Sequence, residues 1–263
     1  MLRTLINEIH YLSARWAPRY RWRPYRENTA GNNLPAQDLL SATDLSGLSE
    51  TSCRVALLYA WILEHVPWQG QGHTRRAVDI GSKDFVYATA LHAYLRQRNH
   101  AETELCGIEP EAYRIYWNLY RRGDHARYYA ACVNQSQGAQ RVDYQVADWL
   151  SWHPEQSYDL ITCFFPFLYA DLSDAWGLPR RFFQPQRLYT KAMQQAPSVL
   201  LFHQGPEETQ DSLRLIDQIG GGVVTYAEVF QENPWIERKH PIHVLLWTRF
   251  RRENAGGRAE NAG

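Results

Sequence analysis

The apolar positions of the chain follow two different spacings along most of its length. Short apolar runs with strand character occupy seven segments: 77–81, 104–109, 143–147, 158–165, 199–203, 223–229 and 243–250. Segments with apolar residues three and four positions apart precede or separate them: 48–65, 86–97, 112–122 continuing towards 131, 188–195 and 207–219. Strands that alternate with helices predict a mostly parallel sheet with helices on both faces.

The last two predicted strands are connected differently from the others. Three glycines at 220–222 end the preceding helix, and the connection 231–240 is too short and proline-interrupted for a crossover helix. We therefore expect a hairpin, with the final strand antiparallel to its neighbours.

Residues 1–47 are predicted to form an N-terminal extension or lid. Helical spacing comes first, at Leu2, Leu5, Ile6, Ile9 and Leu12, and residues 15–26 then interleave arginines with aromatic residues. Such a segment could grip phosphates and stack bases. The preferred alternative is that the rings dock on the domain while the guanidinium groups stay in water. The main α/β domain is expected over 48–250, and the tail 251–263 is expected to be disordered.

Composition narrows the function classes. Lysine plus arginine and aspartate plus glutamate both number 28, so no global charge favours nucleic acid or a membrane as a partner. The four cysteines are far apart, which favours a reduced, cytoplasmic protein. No apolar run approaches the length of a membrane span. His240 and His243 would point to opposite faces of a strand, so no metal site is expected.

The segment 77–85 joins the first strand to a helix through a tight turn. The strand runs into Asp79 and Gly81, and the residues beyond Phe85 have the apolar spacing of a helix. A glycine permits such a turn because it has no side chain, and the start of a helix offers free backbone N–H groups to a polar ligand. The segment predicts a nucleotide-binding crossover.

These features together resemble the class I S-adenosylmethionine-dependent methyltransferases, whose seven-stranded Rossmann-like sheet ends in an antiparallel hairpin. The resemblance covers about residues 50–250 and is carried by three segments at strand ends: Val78-Asp79-Ile80-Gly81, Leu105-Cys106-Gly107-Ile108-Glu109 and Val146-Ala147-Asp148-Trp149. A narrower resemblance, to a bacterial methyltransferase-like group with no assigned substrate, is carried by 81–85, 164–167, 176–179, 183–185 and 203–208. The resemblance implies S-adenosylmethionine as cofactor and methyl transfer to a small-molecule or protein acceptor.

The resemblance also implies a set of cofactor-binding residues: Asp79, Gly81, Ser82, Glu109, Asp148, Trp149 and Phe164. Glu109 is expected to accept hydrogen bonds from both ribose hydroxyls; alternatively it is an acid at a helix start before Pro110. Asp148 could accept from the adenine amino group or cap the next turn, and both alternatives stay open. The family's further glycines are replaced here by residues 82–85, so the loop backbone approaches a cofactor less closely.

A base is useful in methyl transfer only when the acceptor carries a proton that must leave. His203, at the end of the fifth strand, is the predicted catalytic base; the alternative is a hydrogen-bonded strand-end residue. The predicted substrate-binding residues of the same cleft are Tyr169, Asp171, Trp176 and Gln204.

Two other functions remain as alternatives. A methyltransferase fold that binds S-adenosylmethionine without turnover is favoured by the altered loop and by the absence of a polar acceptor-holding turn at 164–167. A nicotinamide oxidoreductase shares the strand-glycine-helix start, but the chain lacks G-x-G-x-x-G.

Overall fold

A computed structural model describes residues 2–16, 22–29, 45–70, 74–97, 102–136, 141–154 and 156–250. The strands are β1 (Thr74–Ile80), β2 (Glu102–Ile108), β3 (Arg141–Gln145), β4 (Leu160–Phe164), β5 (Ser198–His203), β6 (Gly222–Phe230) and β7 (Ile242–Arg249). The helices are α1 (Leu2–Trp16), α2 (Glu50–His65), α3 (Ala88–Gln97), α4 (Arg122–Ser136), α5 (Ala170–Ala175), α6 (Pro185–Gln195) and α7 (Pro206–Ile219). A short 3-10 turn spans Arg180–Phe182. The predicted tail 251–263 and residues 1, 17–21 and 30–44 of the predicted N-terminal extension lie outside the described residues.

The strands form one seven-stranded sheet in the order β3-β2-β1-β4-β5-β7-β6. Strands β1 to β5 pair in parallel, and β7 runs antiparallel to both β5 and β6. The predicted Rossmann-like α/β fold and its antiparallel final strand are confirmed. The strand order reverses direction between β1 and β4, and ligands of open α/β sheets bind at such a point, beyond the carboxyl ends of the strands.

Helices cover both faces of the sheet, and each face has its own apolar core. One core is built by α2, α3 and α4 over residues such as Ala77, Leu105 and Phe164. The other is built by α6 and α7 over Val78, Ile161 and neighbouring positions. Alternate residues of a strand point to opposite faces, which explains why the central strands β4 and β5, buried on both faces, are almost continuously apolar.

The N-terminal extension crosses the carboxyl edge of the sheet. The Asn7 side-chain amide donates to the Asp174 carbonyl at 3.0 Å, and the Tyr11 and Phe182 ring centroids are 5.1 Å apart, edge to face. Residues with apolar side chains form the outer stripe of α1 and are exposed: Leu2, Leu5, Ile6, Ile9 and Leu12. The helix therefore faces the protein with polar and aromatic groups and faces solvent with its apolar stripe.

The segment 22–29 docks through its rings and one carboxylate. Trp22 stacks on Tyr113 at 5.1 Å, and Tyr25 lies 3.8 Å from the His125 ring. Glu27 accepts hydrogen bonds from the Ser49 backbone N–H and from the hydroxyls of Ser52 and Tyr129. Docked rings with exposed arginines match the preferred alternative for this segment over its described part.

One predicted helix begins later than expected. Residues 111–121 form turns rather than helix, with the Tyr116 N–H donating to the Tyr120 carbonyl at 2.8 Å and Leu119 at a φ of 64°. Helix α4 starts at Arg122, where the Asp124 carboxylate accepts from the Arg121 N–H at 2.8 Å and satisfies a free donor at the helix start. Tertiary contacts of the turn residues override the helical spacing here.

Candidate functional site

The carboxyl ends of β1 to β5 meet at one edge of the sheet. The loop 231–241 lies at the same edge, because β7 is antiparallel to β5 and its first residues pair with the last residues of β5. The predicted site residues Gly81, Glu109, Asp148 and His203 follow or end four of these strands. Because β1 to β5 run parallel, these four residues lie at the same edge of the sheet.

The turn after β1 is built from left-handed residues. Gly81, Lys83 and Phe85 have φ values of 71°, 54° and 60°, a region that side-chain-bearing residues adopt at a cost of about 1 kcal/mol each. Phe85 is fully buried in the core, and Ser82 is buried with its hydroxyl lacking a hydrogen-bond partner among the described residues. The loop is therefore held in place by the Phe85 ring rather than by further glycines.

Gly107 on β2 leaves room for this loop. A Cβ added there would lie 2.9 Å from the Ser82 hydroxyl oxygen and 3.0 Å from the Phe85 ring. We predict that Gly107→Ala lowers the free energy of unfolding by about 1–3 kcal/mol, because an extra methyl group in a packed interior forces its neighbours to move. Urea denaturation measures this loss.

Gly205→Ala is the matched control for that prediction. Apart from its two chain neighbours, no described residue has an atom within 4 Å of a Cβ added at Gly205, and the backbone of Gly205 is extended. A loss below about 1 kcal/mol is expected, from the weaker helix cap alone. Equal losses in the two variants would contradict the proposed packing of the loop against Gly107.

Asp79 lies fully buried beneath the turn. Its carboxylate accepts from the Tyr87 hydroxyl at 2.7 Å and from the Thr162 hydroxyl at 2.5 Å. Burial raises the pKa of Asp79 to about 7, against the opposing effect of the two hydroxyl donors. Asp79 thus supports the turn from below.

Glu109 lies at the end of β2, and its carboxylate is already engaged. It accepts from the backbone N–H groups of Lys83 at 3.0 Å and Glu111 at 2.8 Å, and it pairs with Arg122 at 3.2 Å. A carboxylate offers about four acceptor positions, so about one remains for a ligand. Both partners of the ion pair are buried. Glu109 therefore ties the β1 turn to α4.

A cavity of about 580 Å³ opens beyond the ends of β2 and β3. Its floor includes Pro110, which follows β2, and Val146, Ala147 and Asp148, which follow β3. Helix α1 supplies another wall through Tyr11 and Arg15, and the 3-10 turn contributes Arg181 and Phe182. This volume is in the range of small-molecule sites, which are usually 300–1,000 Å³.

The two predicted residues after β3 are placed differently. Asp148 lines the cavity, and one of its carboxylate oxygens accepts from the Leu150 backbone N–H at 3.1 Å. Trp149 instead packs in the core under α6, where the Lys191 ammonium group lies 4.8 Å from its ring. The indole on the cavity wall is that of Trp152. Trp149 does not line this cavity, because the chain turns after Asp148 with the Trp152 N–H donating to the Asp148 carbonyl at 2.8 Å, and its contact with a cofactor stays a prediction.

The residues after β4 form an aromatic mouth beside the β1 turn. Phe164 itself is buried, with its ring centroid 4.2 Å from that of Phe202. Phe165 has a φ of 61°, and the Phe167 and Trp176 ring centroids lie 6.3 Å apart. Trp176 is 48% exposed. The mouth therefore offers aromatic surface to solvent, while Phe164 supports it from the core.

His203 lies inside the protein rather than at this mouth. Its Nε2 is 3.2 Å from the Tyr189 hydroxyl, which in turn bonds to Ser212 at 2.8 Å, and the ring is fully buried. Burial, with a smaller effect from His243, lowers the pKa of His203 to about 3. This placement speaks against the predicted role as catalytic base and agrees with the alternative of a hydrogen-bonded strand-end residue.

The remaining predicted cleft residues spread along the rim. The Tyr169 hydroxyl donates to Asp211 on α7 at 2.8 Å, and the Gln204 backbone N–H donates to Glu208 at 2.9 Å. Asp171 is exposed in the first turn of α5. Trp176 alone among the four faces the β1 turn, through the Lys83 ammonium group 5.5 Å from its ring.

Comparisons with known proteins give structural likeness only. No protein-family model matches the chain, and no curated protein matches its sequence. A putative class I S-adenosylmethionine-dependent methyltransferase from Listeria monocytogenes superposes with a TM-score of 0.51 and 13% identity over 82% of this chain. The chain spans 63% of the length of that protein.

Two further solved structures are similar at lower scores. A putative RNA methyltransferase from Pyrococcus horikoshii gives a TM-score of 0.46 and 12% identity, with 74% of this chain and 83% of that chain covered. Magnesium protoporphyrin IX methyltransferase from Synechocystis, with bound S-adenosylhomocysteine, gives a TM-score of 0.47 and 10% identity, with 76% of this chain and 84% of that chain covered. The fold of the chain is that of the class I methyltransferases. None of the helices in the described ranges combines the length and the apolar character that crossing a bilayer requires.

Proposed function

We propose that the protein is an S-adenosylmethionine-dependent methyltransferase. The observation that carries this proposal is the cavity beyond β2 and β3, which lies between Asp148 and α1 at the carboxyl edge of the sheet, the edge at which ligands of open sheets bind. Carboxylates stand at the ends of both strands, at Glu109 and Asp148. A fold of this kind with a cavity at this edge is best explained by a nucleoside-containing cofactor.

The residues around the cavity suit the parts of such a cofactor. The Asp148 carboxylate would accept from the adenine amino group, and the Trp152 indole offers an aromatic face to the adenine ring. Glu109 would accept one ribose hydroxyl with its remaining acceptor position. The Ser82 hydroxyl, buried beside Gly81 without a partner among the described residues, is a further polar group at the β1 turn. When bound, the cofactor supplies an activated methyl group.

The protein's own contribution would be alignment. Transfer from a sulfonium is an in-line displacement, so holding donor and acceptor in one line supplies much of the rate. The neighbouring ends of β1 and β4 would place the acceptor at the aromatic mouth, between Trp176 and Phe165. With His203 enclosed in the core, we assign no side chain as general base. This arrangement fits an acceptor that reacts without prior loss of a proton or that loses it to water.

Helix α1 would act as a lid, as predicted for the N-terminal extension. It forms one wall of the cavity through Tyr11 and Arg15 and is fixed to the segment after β4 by the Asn7 amide. This placement supports a role in enclosing the adenosyl part of the cofactor.

Binding of S-adenosylhomocysteine tests the proposal. We expect isothermal titration to show one site, and we expect Ala147→Phe to raise Kd at least tenfold because the added ring fills the cavity. Ala227→Phe, on the exposed part of β6, is the control and should leave Kd unchanged. If the unmodified protein gives neither heat nor a thermal shift with this ligand or with S-adenosylmethionine, the proposal is rejected.

A binding module without turnover is the second candidate. Two observations favour it: the Glu109 carboxylate is largely taken up by Arg122 and two backbone N–H groups, and the β1 turn carries Lys83 and Phe85 where glycine is preferred. Both features narrow the space for a ribose. Binding of the cofactor product without methyl transfer to any fraction of a broad metabolite extract would favour this module over the enzyme.

A further inference from the structure

Arg238 occupies an unusual position at the carboxyl edge of the sheet. It belongs to the loop 231–241, and its guanidinium lies 5.5 Å from the centre of the Phe165 ring. Its Nε is enclosed, with no hydrogen-bond partner among the described residues, and no carboxylate in the described ranges pairs with this side chain. Its terminal nitrogens are not enclosed and form no hydrogen bond with the described residues, so they are the part of the guanidinium that a ligand can reach.

The surroundings of Arg238 show where its charge is directed. The side chain is close enough to the buried Tyr59 for its charge to oppose the rise in the Tyr59 pKa that burial causes. Tyr59 itself stacks on Phe164, the last residue of β4, at 5.2 Å. The guanidinium therefore lies over the end of β4, on the side of the aromatic mouth next to β5 and β7.

A second cation stands on the other side of the same mouth. Lys83, in the β1 turn, holds its ammonium group 5.5 Å from the Trp176 ring and makes no ion pair with the described carboxylates. The rings between the two cations come from the segment after β4, Phe165 and Phe167, and from Trp176. The mouth thus combines flat apolar surface with two cations that form no ion pair with the described carboxylates.

We infer that the methyl acceptor is a small aromatic acid, whose anionic group is bound by Arg238 and whose ring packs against Trp176. A heteroatom on the ring, such as a hydroxyl oxygen, would take the methyl group as the methyl–sulfur bond breaks, S-adenosylhomocysteine would be the leaving group, and the proton of the heteroatom would pass to water. A guanidinium presents parallel N–H donors that match a carboxylate or a similar oxyanion, and the terminal nitrogens of Arg238 would supply these donors. Aromatic side chains favour planar ligands through offset or edge contacts. The inference rests on the proposed function for the chemical step, and it adds the substrate class.

Titration with paired probes tests the inference. The probes are 4-hydroxybenzoate and its uncharged analogue 4-hydroxybenzamide, together with 4-hydroxycinnamate and indole-3-acetate as larger acids, each titrated into the protein with and without saturating S-adenosylhomocysteine. At least one acid is expected to bind, and for the benzoate pair we expect the acid to bind at least tenfold more tightly than the amide. If none of the acids binds, or if acid and amide bind equally, the inference is overturned.

Variants of the loop locate the interaction. Arg238→Gln is expected to weaken binding of the acid at least tenfold and to remove the preference over the amide, while Arg238→Lys restores part of it. Lys239→Gln, the exposed neighbour in the same loop, is the matched control and should leave the affinity for the acid unchanged. Thermal denaturation of each variant shows whether it is folded. If Lys239→Gln weakens binding of the acid as much as Arg238→Gln does, the acid is attracted by the general positive charge of the loop, and the assignment of its anionic group to Arg238 is overturned.

The cofactor product separates this inference from the proposed function. Arg238→Gln should bind S-adenosylhomocysteine as the unmodified protein does; a tenfold weaker affinity would mean that Arg238 serves the cofactor instead, which overturns the inference and leaves the proposed function standing. If S-adenosylhomocysteine does not bind at all, the proposed function fails, and the titrations without it still report whether Arg238 selects aromatic acids.

Discussion

Replacing Glu109 with alanine is expected to lower the free energy of unfolding by about 3–5 kcal/mol, because it removes one partner of a buried ion pair. Of its two described carboxylate partners Arg122 would keep Glu111, 3.3 Å away, and the backbone N–H groups of Lys83 and Glu111 would lose their acceptor. The β1 turn would then be free to move relative to α4. Chemical denaturation measures the loss.

Glu50→Ala provides the comparison for that result. Glu50 pairs with Arg54 at 2.7 Å, but both side chains are about half exposed, and exposed pairs contribute about 0–1 kcal/mol. A loss at Glu109 no larger than the loss at Glu50 would show that the carboxylate does not organise the loop. A large loss of stability with an unchanged Kd for S-adenosylhomocysteine would show that Glu109 positions the loop and does not touch the ribose.

Asp79 and His203 are expected to give opposite dependences of stability on pH that cancel in the unmodified protein. The pKa of Asp79 is raised to about 7, so its contribution is full below about pH 4 and is lost as pH rises through 7. The pKa of His203 is lowered to about 3, so its contribution is present above about pH 6.5 and is lost as pH falls through 3. Between about pH 4 and 6.5 the folded chain holds one proton on this pair, on Asp79, and the unfolded chain also holds one, on His203.

Substituting either residue alone should reveal the pH dependence of stability that the other one causes. In Asp79→Asn the pH dependence that His203 causes is no longer cancelled by Asp79. The free energy of unfolding, relative to that of the unmodified protein, should therefore fall on acidification by about 1.4 kcal/mol per pH unit between pH 6.5 and 4.5. In His203→Gln the pH dependence that Asp79 causes is no longer cancelled by His203. The relative free energy of unfolding should then fall by a similar amount per pH unit as pH rises over the same interval. Urea titrations at several pH values give both slopes. Differences from the unmodified protein that do not vary with pH would contradict the buried, shifted states of both groups.

The sheet was predictable because its signal is local. Strands buried on both faces are mostly apolar, and β4 and β5 can be recognised as apolar runs from their own residues alone. Helix α5 was missed for the converse reason: its six residues are mostly polar and small, with no apolar period to detect. Residues 112–121 misled because their aromatic side chains serve contacts with Trp22 and Asp84 rather than a helix face.

The candidate site was predictable only in part. Strand order places Glu109 and Asp148 at the carboxyl edge, as expected, since a parallel strand always ends there. The turn after each strand determines which side chain faces the cavity. After β3 the turn places Trp152 at the cavity and Trp149 in the core. Arg15, Arg181 and Arg238 reach the edge from three distant parts of the chain, and no spacing in the sequence connects them.

The inverted orientation of α1 bears on how a ligand would leave the cavity. The helix faces the protein with Asn7, Tyr11 and the Glu8–Arg181 ion pair, while its leucines and isoleucines already contact water. Lifting it therefore exposes little new apolar surface, and the hydrophobic effect does little to hold it down. The polar attachments are weakened by dissolved ions, which screen exposed charges. Residence time beneath α1 would accordingly shorten with ionic strength while the rest of the fold stays intact.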